Sequence, residues 1–166
     1  MRRPRFQETE MTLSTKPAID ALPFTCPSQQ AEALVLNCMD HRLIGAVADY
    51  LDGRGLTGKY DQIVLAGGAV GVMADETAPW AETFWAHVGL ARELHGISRI
   101  IVIDHRDCGA CKAFVGSDCA EDPDHEIAVH TQRMEALADE IRTREPGLKV
   151  ELLFMDLDGR VETLDQ

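Results

Sequence analysis

Five residues in two short segments carry the chemistry that can be read from this chain. Cys38, Asp40 and Arg42 fall in Cys38-Met39-Asp40-His41-Arg42, and His105 and Cys108 fall in His105-Arg106-Asp107-Cys108-Gly109. Two thiolates and one imidazole are the donor set of a catalytic tetrahedral zinc that keeps its fourth position for water or substrate. Soft donors disfavour magnesium and calcium, while iron or cobalt would also suit them. Each residue alone has a plainer reading: a single Cys at a strand end is usually a small buried hydrophobe, and a single His a hydrogen-bonded polar residue. Their coincidence argues for metal, because two separated segments offer compatible ligands, with a carboxylate and a guanidinium two and four residues beyond the first.

The elements around these segments place them together. The short apolar run Ala33–Leu36 precedes the first, and a helix-like stretch from Leu43 to Leu51, stopped by Gly53 and Gly55, follows it. Ile63–Ala66 reads as a second strand, ended by Gly67, Gly68 and Gly71. Pro79 fits the first turn of a helix striped by Trp80, Phe84, Val88, Ala91 and Leu94, with Gly96 placed to end it. Ile100-Ile101-Val102-Ile103 is β-branched without alternation, as in a central parallel strand covered on both faces. Residues 116–126 read as an acidic, solvated loop. Ile127, Met134, Leu137, Ala138 and Ile141 stripe a helix that stops at Pro146 and Gly147, and Val150–Met155 and Val161–Leu164 flank the turn Asp158-Gly159.

Strands alternating with helices predict an α/β fold: a mostly parallel central sheet in the order 2-1-3-4 plus a C-terminal edge strand, with helices on both faces. In that order strands one and three are neighbours whose helices leave to opposite sides, so a crevice opens beyond their carboxyl ends. The five reactive residues converge there.

Composition narrows the function classes. The chain has 166 residues with 45% hydrophobic and 27% charged residues, which suits a single soluble domain over residues 31–166 behind a partly flexible N-terminal arm, residues 1–30. A net charge of -12 disfavours nucleic acid as the main ligand. No apolar run approaches the ~18 residues of a membrane span. Arg2, Arg3 and Arg5 are followed by Glu8 and Glu10 and not by an apolar stretch, so the expected location is cytoplasmic. Five cysteines at uneven spacing argue against a disulfide framework and toward metal or reactive-thiol roles. Cys26 and Cys119 have no evident partner.

The two motifs together resemble the Cys-x-Asp-x-Arg and His-x-x-Cys-Gly signatures of the β-class carbonic anhydrases, and the resemblance extends over about residues 31–164. It implies one zinc per chain on Cys38, His105 and Cys108, with Asp40 and Arg42 as the catalytic dyad, reversible hydration of carbon dioxide to bicarbonate, and a homodimer or higher even oligomer. Asp40 would orient the acidified water at the metal, and Arg42 would keep Asp40 ionised and off the metal. Some family members close the site with this aspartate, so a closed resting form is a further expectation. The chain departs from the family after the second strand, where Leu65-Ala66-Gly67-Gly68-Ala69 replaces the common Arg-Asn-Ala-Gly. It departs again at Arg106, where a Thr often follows the zinc histidine.

Other readings stay open on sequence. An enzyme of the same fold could act on carbonyl sulfide or carbon disulfide. A non-catalytic protein could close the zinc site with Cys111 or Asp40. Cys108-Gly109-Ala110-Cys111 has the form of a thioredoxin-like dithiol, although the enzyme reading makes Cys111 a core bystander. His41 is a candidate proton shuttle, whereas His87 and His95 are expected on the flank of their helix. The glycines at 67, 68 and 71 do not match a dinucleotide fingerprint and are expected to bring backbone close to the metal pocket.

Overall fold

The computed structural model describes residues 28–116, 119 and 122–164. Most of the expected N-terminal arm, with Cys26, lies outside the described residues. Five strands form one sheet: β1 (Ala33–Cys38), β2 (Tyr60–Leu65), β3 (Arg99–His105), β4 (Lys149–Met155) and β5 (Val161–Thr163), in the order β2-β1-β3-β4-β5. The first four are parallel and β5 runs antiparallel to β4, as the alternation of elements predicts.

Side-chain alternation along β1 and β3 fills two cores at once. Leu34, Leu36, Ile100 and Val102 point to one face, and Ala33, Val35, Ile101 and Ile103 to the other. On the second face lies α1 (Ile44–Gly53), which presents Val47 and Leu51 one turn apart in line with Leu43. It ends in a Schellman turn: Gly55 adopts φ +69°, Gly55 N–H donates to Asp52 O at 2.8 Å, and Leu56 N–H donates to Leu51 O at 3.0 Å. The first face is covered by α3 (Ala78–Leu90) and α5 (Pro123–Arg144), through Phe84 and Val88 of the former and Met134, Leu137, Ala138 and Ile141 of the latter. Each of these side chains other than Ala138 contributes about 1.5–3 kcal/mol by leaving water. The short helices α2 (Ala69–Val72) and α4 (Gly109–Phe114) follow β2 and β3 and rim the crevice.

Two expectations need correction. The stripe of α3 does not extend to Leu94, which is 62% exposed. Residues Ala91–His95 widen into a π turn that rotates Leu94 off the core face, and Ile97 is buried beyond it. The acidic stretch is not solvated loop to its end either. Asp122 caps α5 by accepting Asp124 N–H at 2.9 Å, Pro123 takes the first turn, and Glu126 is buried. Among the described residues no helix is long and apolar enough to cross a membrane.

Candidate functional site

The strands run further than their apolar cores suggest, so that Cys38 is the last residue of β1 and His105 the last of β3. Parallel pairing of β1 with β3 sets these ends side by side, and Cys108 closes the loop immediately before α4. Cys38, His105 and Cys108 are all buried, with ligand atoms within 4.8 Å of one another and the two sulfurs 4.0 Å apart. The sequence singled out these three residues, and the structure brings them together.

The donor set fits a thiophilic divalent ion on two observations. His105 Nδ1 lies 2.8 Å from the carbonyl oxygen of Arg106, which accepts its proton, while Nε2 is buried without a hydrogen-bond partner among the described residues. That arrangement leaves the Nε2 lone pair for a ligand. Secondly, the two thiols compete for one negative charge. The hydrogen bond with Cys108, against burial and helped by His105 and Gly67 N–H, brings Cys38 down to about 4. The same hydrogen bond, together with burial, pushes Cys108 up. A dication is the group that allows both sulfurs to ionise.

Backbone holds the sulfur of Cys38. Gly67 N–H donates to Cys38 Sγ at 3.2 Å, and both Gly67 and Gly68 have positive φ, +80° and +53°. A Cβ on Gly67 would meet Ala110, and one on Gly68 would run into Asp104. The glycine turn thus lets the β2 end approach the ligands. Beneath it Asn37 donates to the Cys38 carbonyl and accepts from Gln62, each at 2.8 Å.

Arg42 ties the two motifs together. Its Nε and Nη2 donate to Asp40 Oδ1 and Oδ2 at 3.0 and 2.7 Å, and its Nη1 donates to Asp107 Oδ2 at 2.8 Å. The fork holds the Asp40 carboxyl well below the usual range, and Arg42, followed by Lys112, lowers that of Asp107. Asp40 is not among the clustered ligands. His41 is almost wholly exposed, with Nδ1 3.8 Å from Asp40 Oδ1. His87 is exposed, and His95 is half-buried against Asp61 at 2.8 Å. A cavity of about 400 Å³ opens beside Cys38 and Asp40, walled by Met39, His41, Ala66, Gly109, Ala110, Ala113 and Phe114. A larger one of about 520 Å³, along α3 and the end of α5, shares no lining residue with it.

Three residues near the site escaped sequence reasoning. Glu126 Oε1 accepts Asp107 N–H at 2.6 Å, and Asp104, fully buried, meets His130 Nδ1 at 2.8 Å while accepting Ala69 N–H at 3.0 Å. A signal for two of them exists: Glu126, His130 and Met134 recur every four residues and so share the buried face of α5. Cys111 also differs from expectation, because it is joined to Cys119 in a disulfide, with Cα atoms 6.1 Å apart. The expectation that Cys119 has no partner is corrected accordingly. The disulfide sets Cys119 against α4, a pairing that sequence spacing does not specify. Cys111 is therefore neither a plain core thiol nor the partner of Cys108.

A mostly parallel sheet with this strand order, ending in a two-Cys, one-His cluster beside an Asp–Arg pair, defines a β-carbonic-anhydrase-like protein. The fold matches the β-carbonic anhydrase CafA of Aspergillus fumigatus at a TM-score of 0.58 with 16% identity, covering 82% of this chain and 76% of that one. It matches a β-carbonic anhydrase of Sordaria macrospora, described as tetrameric, at 0.53 with 17% identity, covering 84% and 83%. The model of the family described as "Putative carbonic anhydrase" matches residues 28–165, and the chain belongs to that family as a divergent member. An uncharacterized protein of Rickettsia conorii is 32% identical over 135 residues, 81% of this chain and 73% of that protein. One of Rickettsia bellii is 29% identical over 135 residues, covering 81% and 82%.

Proposed function

We propose that the chain catalyses the reversible hydration of carbon dioxide to bicarbonate, with one zinc ion held by Cys38, His105 and Cys108. The observation that carries this reading is the fork of Arg42 on Asp40, which engages both carboxylate oxygens and keeps Asp40 apart from the three clustered ligands. Zinc, when bound, supplies a Lewis acid that acidifies water near neutral pH. Asp40, kept ionised, can only accept hydrogen bonds, so it turns the proton of the nucleophilic oxygen toward itself and leaves a lone pair for the substrate carbon. Arg42 positions Asp40 and, through Asp107, fixes the loop that carries Cys108. The largely apolar cavity wall suits a small uncharged substrate.

The reading extends to the assembly and the compartment. Met39 and Ile44, 60% and 63% exposed, place apolar surface beside the site, and a relative of the same fold is described as tetrameric. Both support a homodimer or a higher even oligomer. Thiolate ligands suit a reducing cytoplasm. Stopped-flow pH-indicator assays on zinc-loaded protein test the activity: hydration well above the buffer rate, strongly lowered in Asp40→Asn with zinc retained, supports it. A zinc-loaded protein that is inactive on carbon dioxide overturns it. Turnover of carbonyl sulfide or carbon disulfide by that same protein would identify the sulfur-substrate alternative.

A further inference from the structure

Behind α4 lies a second group of metal-ligand side chains that the proposed reaction does not use. Cys111, Cys119 and His130 are each fully buried, and their ligand atoms lie within 4.8 Å of one another. His130 Nδ1 is engaged by Asp104 Oδ2 at 2.8 Å, whereas its Nε2 is buried with no hydrogen-bond partner among the described residues. A core that fixes one imidazole nitrogen on a buried carboxylate and leaves the other without a partner, in a ring that clusters with two sulfurs, holds the histidine as metal-ligating histidines are held. Asp104 is in turn held by Ala69 N–H, so the orientation of the ring is built into the fold. In the structure the two sulfurs are joined as a disulfide, which denies a metal both of its thiolates.

We propose that Cys111, Cys119 and His130 form a second, thiol-gated metal site that takes one zinc-class divalent ion when the disulfide is reduced. With a phosphine as the two-electron reductant, the sulfur–sulfur bond breaks, the phosphine takes the oxygen of one water to become its oxide, and the two hydrogens of that water go to the sulfurs. Binding of the ion to both sulfurs then releases two protons to solvent, with His130 Nε2 as the third donor. Two sulfurs and one nitrogen select zinc or a similarly thiophilic ion over magnesium or calcium.

The site is separable from the first cluster by its response to reduction. Full-length protein and its Cys38→Ser variant are equilibrated anaerobically with zinc, with and without phosphine, then desalted and analysed for metal. The expected result is one additional zinc per chain on reduction in both proteins and no additional zinc in Cys119→Ser. Equal zinc before and after reduction overturns the proposal, as does a gain that survives in Cys119→Ser. Should that variant fail to fold, zinc-edge X-ray absorption on reduced Cys38→Ser protein decides the matter. A shell containing two sulfurs supports the site, and a shell of nitrogen and oxygen alone overturns it.

Discussion

Glu126 Oε1 accepts the backbone N–H of Asp107 at 2.6 Å from a position only 2% exposed. Asp107 is the one described non-glycine residue with positive φ, +55°, a conformation that costs of order 1–2 kcal/mol. Glu126 offsets that strain by satisfying the N–H which the turn directs inward. Glu126→Ala should therefore lower stability by about 1–3 kcal/mol, read by denaturant melts, and speed loss of metal to a chelator. Glu126→Gln keeps an acceptor oxygen and should retain most of both.

Removal of a ligand should abolish binding at the first cluster. Purified protein should carry a transition metal, and Cys38→Ser or Cys108→Ser should each lose about one equivalent by elemental analysis, since neither cysteine has a substitute within the cluster. Unchanged metal content in both variants would overturn the proposed ligand set.

Asp40→Asn and Arg42→Ala should lower hydration turnover about 10–100-fold with metal content unchanged. The first replaces an acceptor-only group with one that also donates, and the second frees the carboxylate. Arg42→Ala also cuts the link to Asp107, so it should melt at lower temperature than Asp40→Asn. Calorimetry on the two variants reads that difference.

Gly68→Ala should destabilise the fold by about 1–3 kcal/mol, because alanine disfavours φ +53° and its methyl group would displace Asp104. Gly89→Ala, which meets nothing within 4 Å and has no positive φ, should be neutral or slightly stabilising. Chemical denaturation of the pair isolates the role of the glycine turn.

Sedimentation at micromolar concentration should show a dimer or a higher even oligomer. Met39→Glu or Ile44→Glu should shift it toward monomer if the apolar surface beside the site is the contact. A wild-type monomer of 18.3 kDa would remove the oligomer from the proposed function.

What the sequence determined by itself follows from local patterning. Unbroken β-branched runs such as Ile100–Ile103 have the pattern of strands covered on both faces, glycines at 55 and 96 stop helices, and right-handed crossovers then leave the strand order β2-β1-β3-β4 as the economical one. With that order, Cys38 and His105 had to meet, because the ends of parallel neighbours coincide. Spacing alone could not say what comes from a third element. Glu126 and His130 reach the site from α5, whose polar residues at 126 and 130 interrupt an otherwise apolar stripe and hide its first turn in an acidic run. Nor could it say that Cys111 meets Cys119, since that pairing depends on where Cys119 packs against α4. Local periodicity reports which face of an element is buried. The partner that buries it, and so the fate of each buried carboxylate, imidazole and thiol, is decided only when the faces are packed together.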